Sequence, residues 1–455
     1  MLFLLSILIS MGYLGVVLYF LIVMVAVFFG LTMDLTMINS IFLLSAVGLG
    51  TYMAINIWAN DVANSVWPAV WSGALKLKWA IVIAAFWNIL WALIAGWDVV
   101  KTVKKGIIDI SNFTDPAAFI FVMLSALLAA ALWLNIATYL RAPVSTTHSI
   151  VGWVMWGWIA AMGFGIVSWP TMWKIAASWV ISPLIGWIVA ALFLYSIKAL
   201  VIHRTDKVKY AKKLVPVYVA IMAWAFTTYL IVKGLKHLIK MSFADASMYW
   251  ILVAVIVFFS VSVYLSKYAK KIENNRKSIA KLFTIPLIFA VALLTFAHGA
   301  NDVANAIGPI AAIYDSVVNG GISSAVNIPI WILLIWGTGI AVWLAVFGPR
   351  IIKTVWGEIT ELDQIRAFCI ALSAAITVII ASQLGLPVSS THIALGWVFG
   401  VWFLREYLHK REHGKKTQLV ERSMFKKIIS AWLITVPAVA ALSGWIFFIL
   451  GHFYL

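Results

Sequence analysis

Ala59-Asn60-Asp61-Val62-Ala63-Asn64 recurs unchanged as Ala300-Asn301-Asp302-Val303-Ala304-Asn305. Each copy lies in strongly apolar sequence, so each sets one carboxylate and two carboxamides where hydrocarbon is the expected surroundings. An ionisable side chain at the bilayer centre costs about 2.5–3.5 kcal/mol or more and usually marks an ion pathway. Asp61 and Asp302 are the only acidic residues of their spans, and in a helix Asp61 and Asn64 share a face. Carboxylate and amide oxygens are hard ligands suited to a small cation. That chemistry makes Asn60, Asp61, Asn301 and Asp302 candidate cation ligands. The competing reading is a hydrogen-bonded cluster that only ties helices together; the duplication favours function.

A second motif follows each copy. Pro143-Val144-Ser145-Thr146-Thr147-His148 begins 82 residues after Asp61, and Pro387-Val388-Ser389-Ser390-Thr391-His392 begins 85 residues after Asp302. Proline breaks the preceding run and the adjacent Ser caps a new helix through its hydroxyl. A capped N-terminus at membrane depth presents backbone N–H groups and a positive dipole end. The hydroxyls of Ser145, Thr146 and Thr147, opposed by Ser389, Ser390 and Thr391, are candidate ligands of an oxyanion. Plain capping of two ordinary helices is the alternative. His148, His392 and His298 read as structural residues bonded to backbone carbonyls, with proton relay as the second possibility.

Composition bounds the class. The chain of 455 residues is 64% hydrophobic and 11% charged, with mean hydropathy +1.03. Soluble domains carry about 25% charged residues, so this is an integral membrane protein. The single cysteine, Cys369, excludes a disulfide framework or a cysteine-ligated metal. The first 30 residues lack a basic leading region and a clear cleavage site, and read as a retained span. The net charge of +17 is concentrated: 198–213, 267–281 and 405–427 hold 20 of the 33 basic residues. Basic clusters between apolar runs are the signature of cytoplasmic loops, and nothing here forms a domain to dock nucleic acid.

Apolar segments near 2–30, 40–58, 78–100, 117–140, 149–167, 171–201, 214–232, 248–266, 283–300, 328–349, 364–384, 393–404 and 427–450 predict an all-α fold. It has about 12 transmembrane helices, each of roughly 20 residues, some broken or re-entrant. With the three basic stretches inside, 31–39 and 306–327 become outer loops; 101–115 and 233–247 carry lysines that disagree. The segment with Asp61 then runs inward and that with Asp302 outward, with the Ser145 loop on the cytoplasmic side and the Ser389 loop opposite. Two inverted-topology repeats follow, the arrangement that supports alternating access about a midplane site. The expected division is an N-terminal span (1–39), a first transport repeat (40–197), and basic loops with connecting spans (198–282). A second repeat (283–404) and a basic cytoplasmic loop with a C-terminal span (405–455) complete it. Val100-Lys101-Thr102-Val103 is echoed by Ile352-Lys353-Thr354-Val355.

His298-Gly299-Ala300-Asn301-Asp302-Val303-Ala304-Asn305-Ala306, its partner around Asp61 and both Pro-Val-Ser loops together resemble the inorganic phosphate transporter (PiT) family over nearly the whole chain. The resemblance implies import of inorganic phosphate by symport with sodium or protons, often as a homodimer, in the inner (plasma) membrane. It also implies an ion and phosphate site at Asn60, Asp61, Asn64, Ser145, Thr146 and Thr147. The second half adds Asn301, Asp302, Asn305, Ser389, Ser390 and Thr391. No cofactor is expected beyond the coupling ion, and the partners are phosphate and the lipid bilayer. The family includes sulfate permeases, so sulfate or another tetrahedral oxyanion is the alternative cargo. A phosphoryl-transfer enzyme using His148 or His392 is a remoter reading. It lacks a Gly-rich P-loop and clustered acidic metal ligands, so the chain reads as no enzyme. A channel is a third possibility, which broken, duplicated motifs fit less well.

The first repeat departs from the second in one systematic way. Gly299-Ala300-Asn301-Asp302 and Ile307-Gly308-Pro309 are answered by Trp58-Ala59-Asn60-Asp61 and Val66-Trp67-Pro68. Trp71, Trp97, Trp153, Trp156 and Trp158 also stand beside small residues, and the chain holds 25 Trp against 28 Gly. Membrane helix contacts favour Gly, Ala and Ser, and an indole forced into one overpacks it. The pattern points to UGA codons that the source organism decodes as glycine, and it predicts crowding around the first repeat.

Overall fold

The computed structural model describes residues 35–94, 106–108, 115–139, 144–231, 243–320, 332–333, 362–414 and 422–454. The expected N-terminal span at 2–30, the span at 328–349 apart from Ile332 and Leu333, Trp97 and the Lys101 and Lys353 echoes lie outside these residues. The described chain is almost wholly helical: α1 (Leu35–Trp71), α2 (Leu77–Ile94), α3 (Pro116–Tyr139), α4 (Thr146–Met162), α5 (Trp169–Ile197) and α6 (Lys207–Tyr229). α7 (Phe243–Tyr268), α8 (Arg276–Leu282), α9 (Thr284–Asn319), α10 (Gln364–Gln383), α11 (Ser390–His413) and α12 (Arg422–Tyr454) follow. Among them, five helices are long and apolar enough to cross a membrane, or six if the 44° bend between α8 and α9 is one broken span. In hydrocarbon every backbone polar group must bond internally, which is why helices are the solution.

Two expectations are corrected. The segment 306–327 is not an outer loop at its start, because α9 runs on to Asn319 before Gly320 caps it in the left-handed region at φ 64°. Nor is 405–427 loop throughout: α11 continues to His413, and Gly414 (φ 67°) ends it. The two continuations differ: in α9 Ala306, Ile307, Ala311 and Ile313 stay buried inside the protein, whereas the end of α11 is exposed at Arg411 and Glu412.

α3 and α10 form the centre. Of their apolar windows 72% and 78% of residues are buried, against 11% for α7 at the perimeter. Both central helices are rich in small side chains, among them Ala126, Ala129, Ala130, Ala371, Ala374 and Ala375, which let neighbours approach closely. α1 packs on α3 and α9 on α10; α4 packs on α12 and α11 on α5. The helix that ends each half therefore lies against the hydroxyl-capped helix of the other half.

Those crossings are tight. A Cβ on Gly396 would run into the Pro183 carbonyl, and one on Gly400 would lie 2.5 Å from the Trp187 carbonyl oxygen. On the α4–α12 side, a Cβ on Gly152 would meet Val439 at 3.1 Å and one on Gly157 would meet Ser443 Oγ at 3.2 Å. Large indoles sit among these glycines. Trp67, Trp153, Trp158 and Trp397 are among the largest fully buried side chains, and the indole of Trp397 lies 2.6 Å from where a Gly186 Cβ would stand. The indole N–H groups of Trp133, Trp153, Trp156, Trp397 and Trp402 are buried without an acceptor.

The basic stretches come together on one side. Asn274 Nδ2 donates to the Thr205 carbonyl at 2.8 Å, Arg276 pairs with Asp363 at 2.7 Å, and His203 lies 3.6 Å from Glu412. Gln364 Nε2 donates to the Ser72 carbonyl at 2.9 Å, which brings the end of α1 to the same face.

Candidate functional site

Both capping residues act as their sequence predicts. Ser145 and Ser389 have extended backbones (φ −89°, ψ 118° and φ −83°, ψ 109°) and accept from the backbone N–H groups of His148 and His392. Those bonds are 3.0 and 3.1 Å long. α4 and α11 thus start at two tips buried in the protein, and the tips meet. Thr147 Oγ1 donates to the Val388 carbonyl at 2.9 Å, while Thr391 Oγ1 lies 3.3 Å from the Val144 carbonyl. Each threonine reaches across to the valine of the opposite motif.

The long helices α1 and α9 bring the duplicated hexapeptide to these tips. Thr146 Oγ1 donates to Asp61 Oδ2 at 2.7 Å, and Thr391 Oγ1 donates to Asp61 Oδ1 at 2.9 Å. Asn64 Nδ2 bridges the same Asp61 oxygen and Thr391 Oγ1, both at 3.2 Å. The other half answers: Asn305 Nδ2 donates to Thr147 Oγ1 at 3.3 Å. Asn301 donates to the Val388 carbonyl at 2.8 Å and to Asp302 Oδ1 at 3.0 Å, and its own Oδ1 accepts from Val388 N at 3.1 Å. Asn64–Thr391 and Asn305–Thr147 are equivalent contacts made from opposite halves.

The two halves are not filled equally. Asp61 accepts from two hydroxyls, one from each tip. Ser390, in the position equivalent to Thr146, has a buried Oγ without a partner, and Asn305 Oδ1 is likewise buried and unpartnered. Buried polar groups are nearly always bonded, and each exception calls for an explanation. A hydroxyl and an amide oxygen left open beside a carboxylate form a donor set for a small hard cation and a tetrahedral oxyanion together. Every expected site residue with a described side chain is buried and lies in or beside this cluster. Asn60 sits in α1, but its side chain is outside the described residues.

His148 and His298 do not bond to carbonyls as expected. His148 and His392 face each other with ring centroids 4.2 Å apart, and neither ring nitrogen of His148 has a hydrogen-bond partner. Trp179 from α5 covers the pair, 3.7 Å from the His148 ring, and its Nε1 donates to the Pro387 carbonyl at 3.1 Å. Sequence reasoning missed Trp179 as a neighbour of the site. No motif signals it, because it reaches the tip only through the α5–α11 crossing. His298 is buried on α9 with no partner for its ring nitrogens.

Known proteins share both the sequence and the fold. The profile of the phosphate transporter family matches residues 57–443. A Helicobacter pylori (strain J99) protein described as a phosphate permease is 42% identical, covering 91% of this chain and 90% of its own. A Pyrococcus furiosus protein with the same description is 38% identical, covering 89% and 95%. Among solved structures, one described as a sodium-dependent phosphate transporter superposes with a TM-score of 0.82 at 34% identity, covering 90% of this chain and 99% of that one.

Proposed function

Because the chain belongs to the phosphate transporter family, we propose that it imports inorganic phosphate by symport with sodium, through alternating access about the Asp61–Asp302 cluster. One observation carries this reading: a single buried network in which the hexapeptide and hydroxyl tip of each half bond to those of the other. Anything bound there is held by both halves, so motion of one half against the other exposes the site to one side at a time.

Asn60, Asp61, Asn301 and Asp302 hold the cation, and Asn64, Asn305, Ser145, Thr146, Thr147, Ser389, Ser390 and Thr391 hold the anion. The hydroxyls of Ser145 and Ser389 accept backbone N–H groups, so each offers the anion its remaining proton. Sodium rather than a proton is favoured by the donor set and by the sodium dependence of the structural relative. The crossed packing of α5 on α11 and α12 on α4 supports two inverted repeats, 40–197 and 283–404, with the helix that follows each capped helix lying on the capped helix of the other half. The segments 1–39, 198–282 and 405–455 then flank and join the repeats. The protein works in the inner (plasma) membrane as a homodimer and performs no covalent chemistry.

Reconstituted proteoliposomes test the reading. Labelled phosphate should accumulate under an inward sodium gradient and not under a pH gradient alone, and excess sulfate should not compete. Uptake driven only by the pH gradient would replace sodium with protons, and full competition by sulfate would change the cargo.

A further inference from the structure

A large cavity lies away from the transport site, between the α6–α7 hairpin and the start of α9. It encloses about 910 Å³ and is lined almost wholly by apolar side chains, among them Met222, Phe226, Val257 and Phe289. Along α7 it extends from Val253 to Tyr268, a helical rise of about 22 Å. Half of a bilayer's hydrocarbon is about 15 Å thick, so the cavity runs the depth of one leaflet and somewhat beyond. Trp87 and Phe226 line its deep end, and Phe296 packs behind them, the three rings having centroids 5.2 to 6.0 Å apart.

The other end is polar and cationic. Lys281, the one basic residue lining the cavity among the described residues, stands there with Tyr264, Tyr268 and Thr284. Lys281 ends α8, which also carries Arg276 and Lys277, in the basic stretch 267–281 that reads as cytoplasmic. Arg276 is occupied by Asp363, whereas Lys281 is exposed at the mouth. An apolar slot one leaflet deep, with a lysine at its cytoplasmic rim, is complementary to a lipid with an anionic headgroup; basic pockets between spans on that side bind such headgroups.

We propose that this cavity is a binding site for an anionic phospholipid of the cytoplasmic leaflet. Its acyl chains fill the slot down to Trp87 and Phe226, and its phosphate bonds to the Lys281 ammonium and the tyrosine hydroxyls. The site is independent of the phosphate pathway, but it touches the same helix: Phe289 and Leu293, which line it, lie on α9 ahead of Asp302. Bound lipid would brace α9 beside its 44° bend with α8.

The test is lipid retention. The full chain is reconstituted into nanodiscs of mixed phosphatidylglycerol and phosphatidylcholine, re-extracted in mild detergent, and its lipids identified by native mass spectrometry. Wild-type protein should retain phosphatidylglycerol in preference to phosphatidylcholine. Lys281→Gln should lose that preference several-fold and Lys281→Arg should keep it. Val257→Phe, which fills the slot but leaves the charge, should retain neither lipid. Equal retention of both lipids by wild type, or unchanged preference in Lys281→Gln, overturns the proposal. So does a change of oligomeric state in Val257→Phe with lipid retention intact, since the occupant would then be a second copy of the chain. Phosphate uptake does not enter the readout, so the result stands apart from the transport reading.

Discussion

Thr391, from the second half of the chain, donates its hydroxyl to Asp61, from the first, at 2.9 Å in the buried centre of the protein. Residues 330 positions apart thus share one hydrogen bond, and the carboxylate also takes Thr146 from the opposite tip. A buried hydrogen bond to a charged group is worth about 1.5–3 kcal/mol. Asp61→Asn keeps the size but removes the charge, and should lower sodium-driven phosphate uptake by about tenfold or more, the equivalent of 1.4 kcal/mol. Uptake in proteoliposomes at fixed protein density checks this. Unchanged uptake in both Asp61→Asn and Asp302→Asn would remove the carboxylates from the mechanism.

Thr391→Val and Asp61→Asn should not be additive. They break the same contact, and residues in one hydrogen-bonded network show coupling of about 0.5–3 kcal/mol. A double-mutant cycle on initial uptake rates measures it. Thr147→Val is the matched variant in the other half. It leaves the Val388 carbonyl to Asn301 alone and removes the acceptor of Asn305, so it should also lower thermal stability, by about 1–3 kcal/mol.

Much of this site is legible in the sequence. The duplicated hexapeptide and the two capping serines follow from motif identity and helix-capping chemistry, both local signals, while the grouping of the aspartates with the hydroxyl tips is what the family resemblance implies. What stays hidden is pairing. Nothing in Pro143–His148 says that Thr147 will meet Val388, because contacts across 241 residues are set by how α4 and α11 approach. The exchange of α5 and α12 between halves, the covering of His148 by Trp179, and the run of α9 to Asn319 are invisible for the same reason. They depend on which small-residue faces fit each other, and apolar count cannot rank those faces.

Asp363 links the rim where the basic stretches gather to pH. Burial opposes its ionisation, yet the Arg366 and Arg276 guanidiniums and the Arg366 backbone N–H outweigh this and hold its carboxyl below the usual carboxylate range. The folded value lies under that of the unfolded chain, about 3.9. The stabilisation is therefore whole above that pH and is lost as pH falls through the folded value. Asp363→Asn should melt below wild type at pH 7, and the gap should narrow as the pH is taken below about 3.9. Thermal unfolding in detergent across that range reads it directly.

Backbone contact at the α5–α11 crossing predicts an ordering among glycines. An added Cβ at Gly396 meets the Pro183 backbone, which cannot swing aside, whereas at Gly444 it meets open space. Gly396→Ala should cost about 1–3 kcal/mol by overpacking, and Gly444→Ala should cost none of it. Melting temperatures of the two variants side by side give the comparison.

The tryptophans should divide by codon. Trp156 and Gly400 both stand eleven residues past their capping serines, Trp58 answers Gly299, and Trp67 answers Gly308. Trp153, Trp156, Trp397 and Trp402 bury an indole N–H without an acceptor on the two capped helices. Leaving such a donor unpaired costs about 1–3 kcal/mol each, and buried tryptophans otherwise find a partner. Trp179 and Trp169 behave as tryptophan should, donating to the Pro387 and Phe164 carbonyls. UGA read as glycine in the source organism accounts for the division. The coding sequence should carry UGA at Trp58, Trp67, Trp153, Trp156, Trp397 and Trp402, and UGG at Trp169 and Trp179. Peptide masses from the native protein should show glycine at the first set. Replacing that set with glycine in a recombinant chain should raise its melting temperature and its phosphate uptake together. UGG codons at Trp156 and Trp397 would mean that the crowding belongs to the natural protein, and that α4 and α11 tolerate unpaired indoles in contacts otherwise made by glycine.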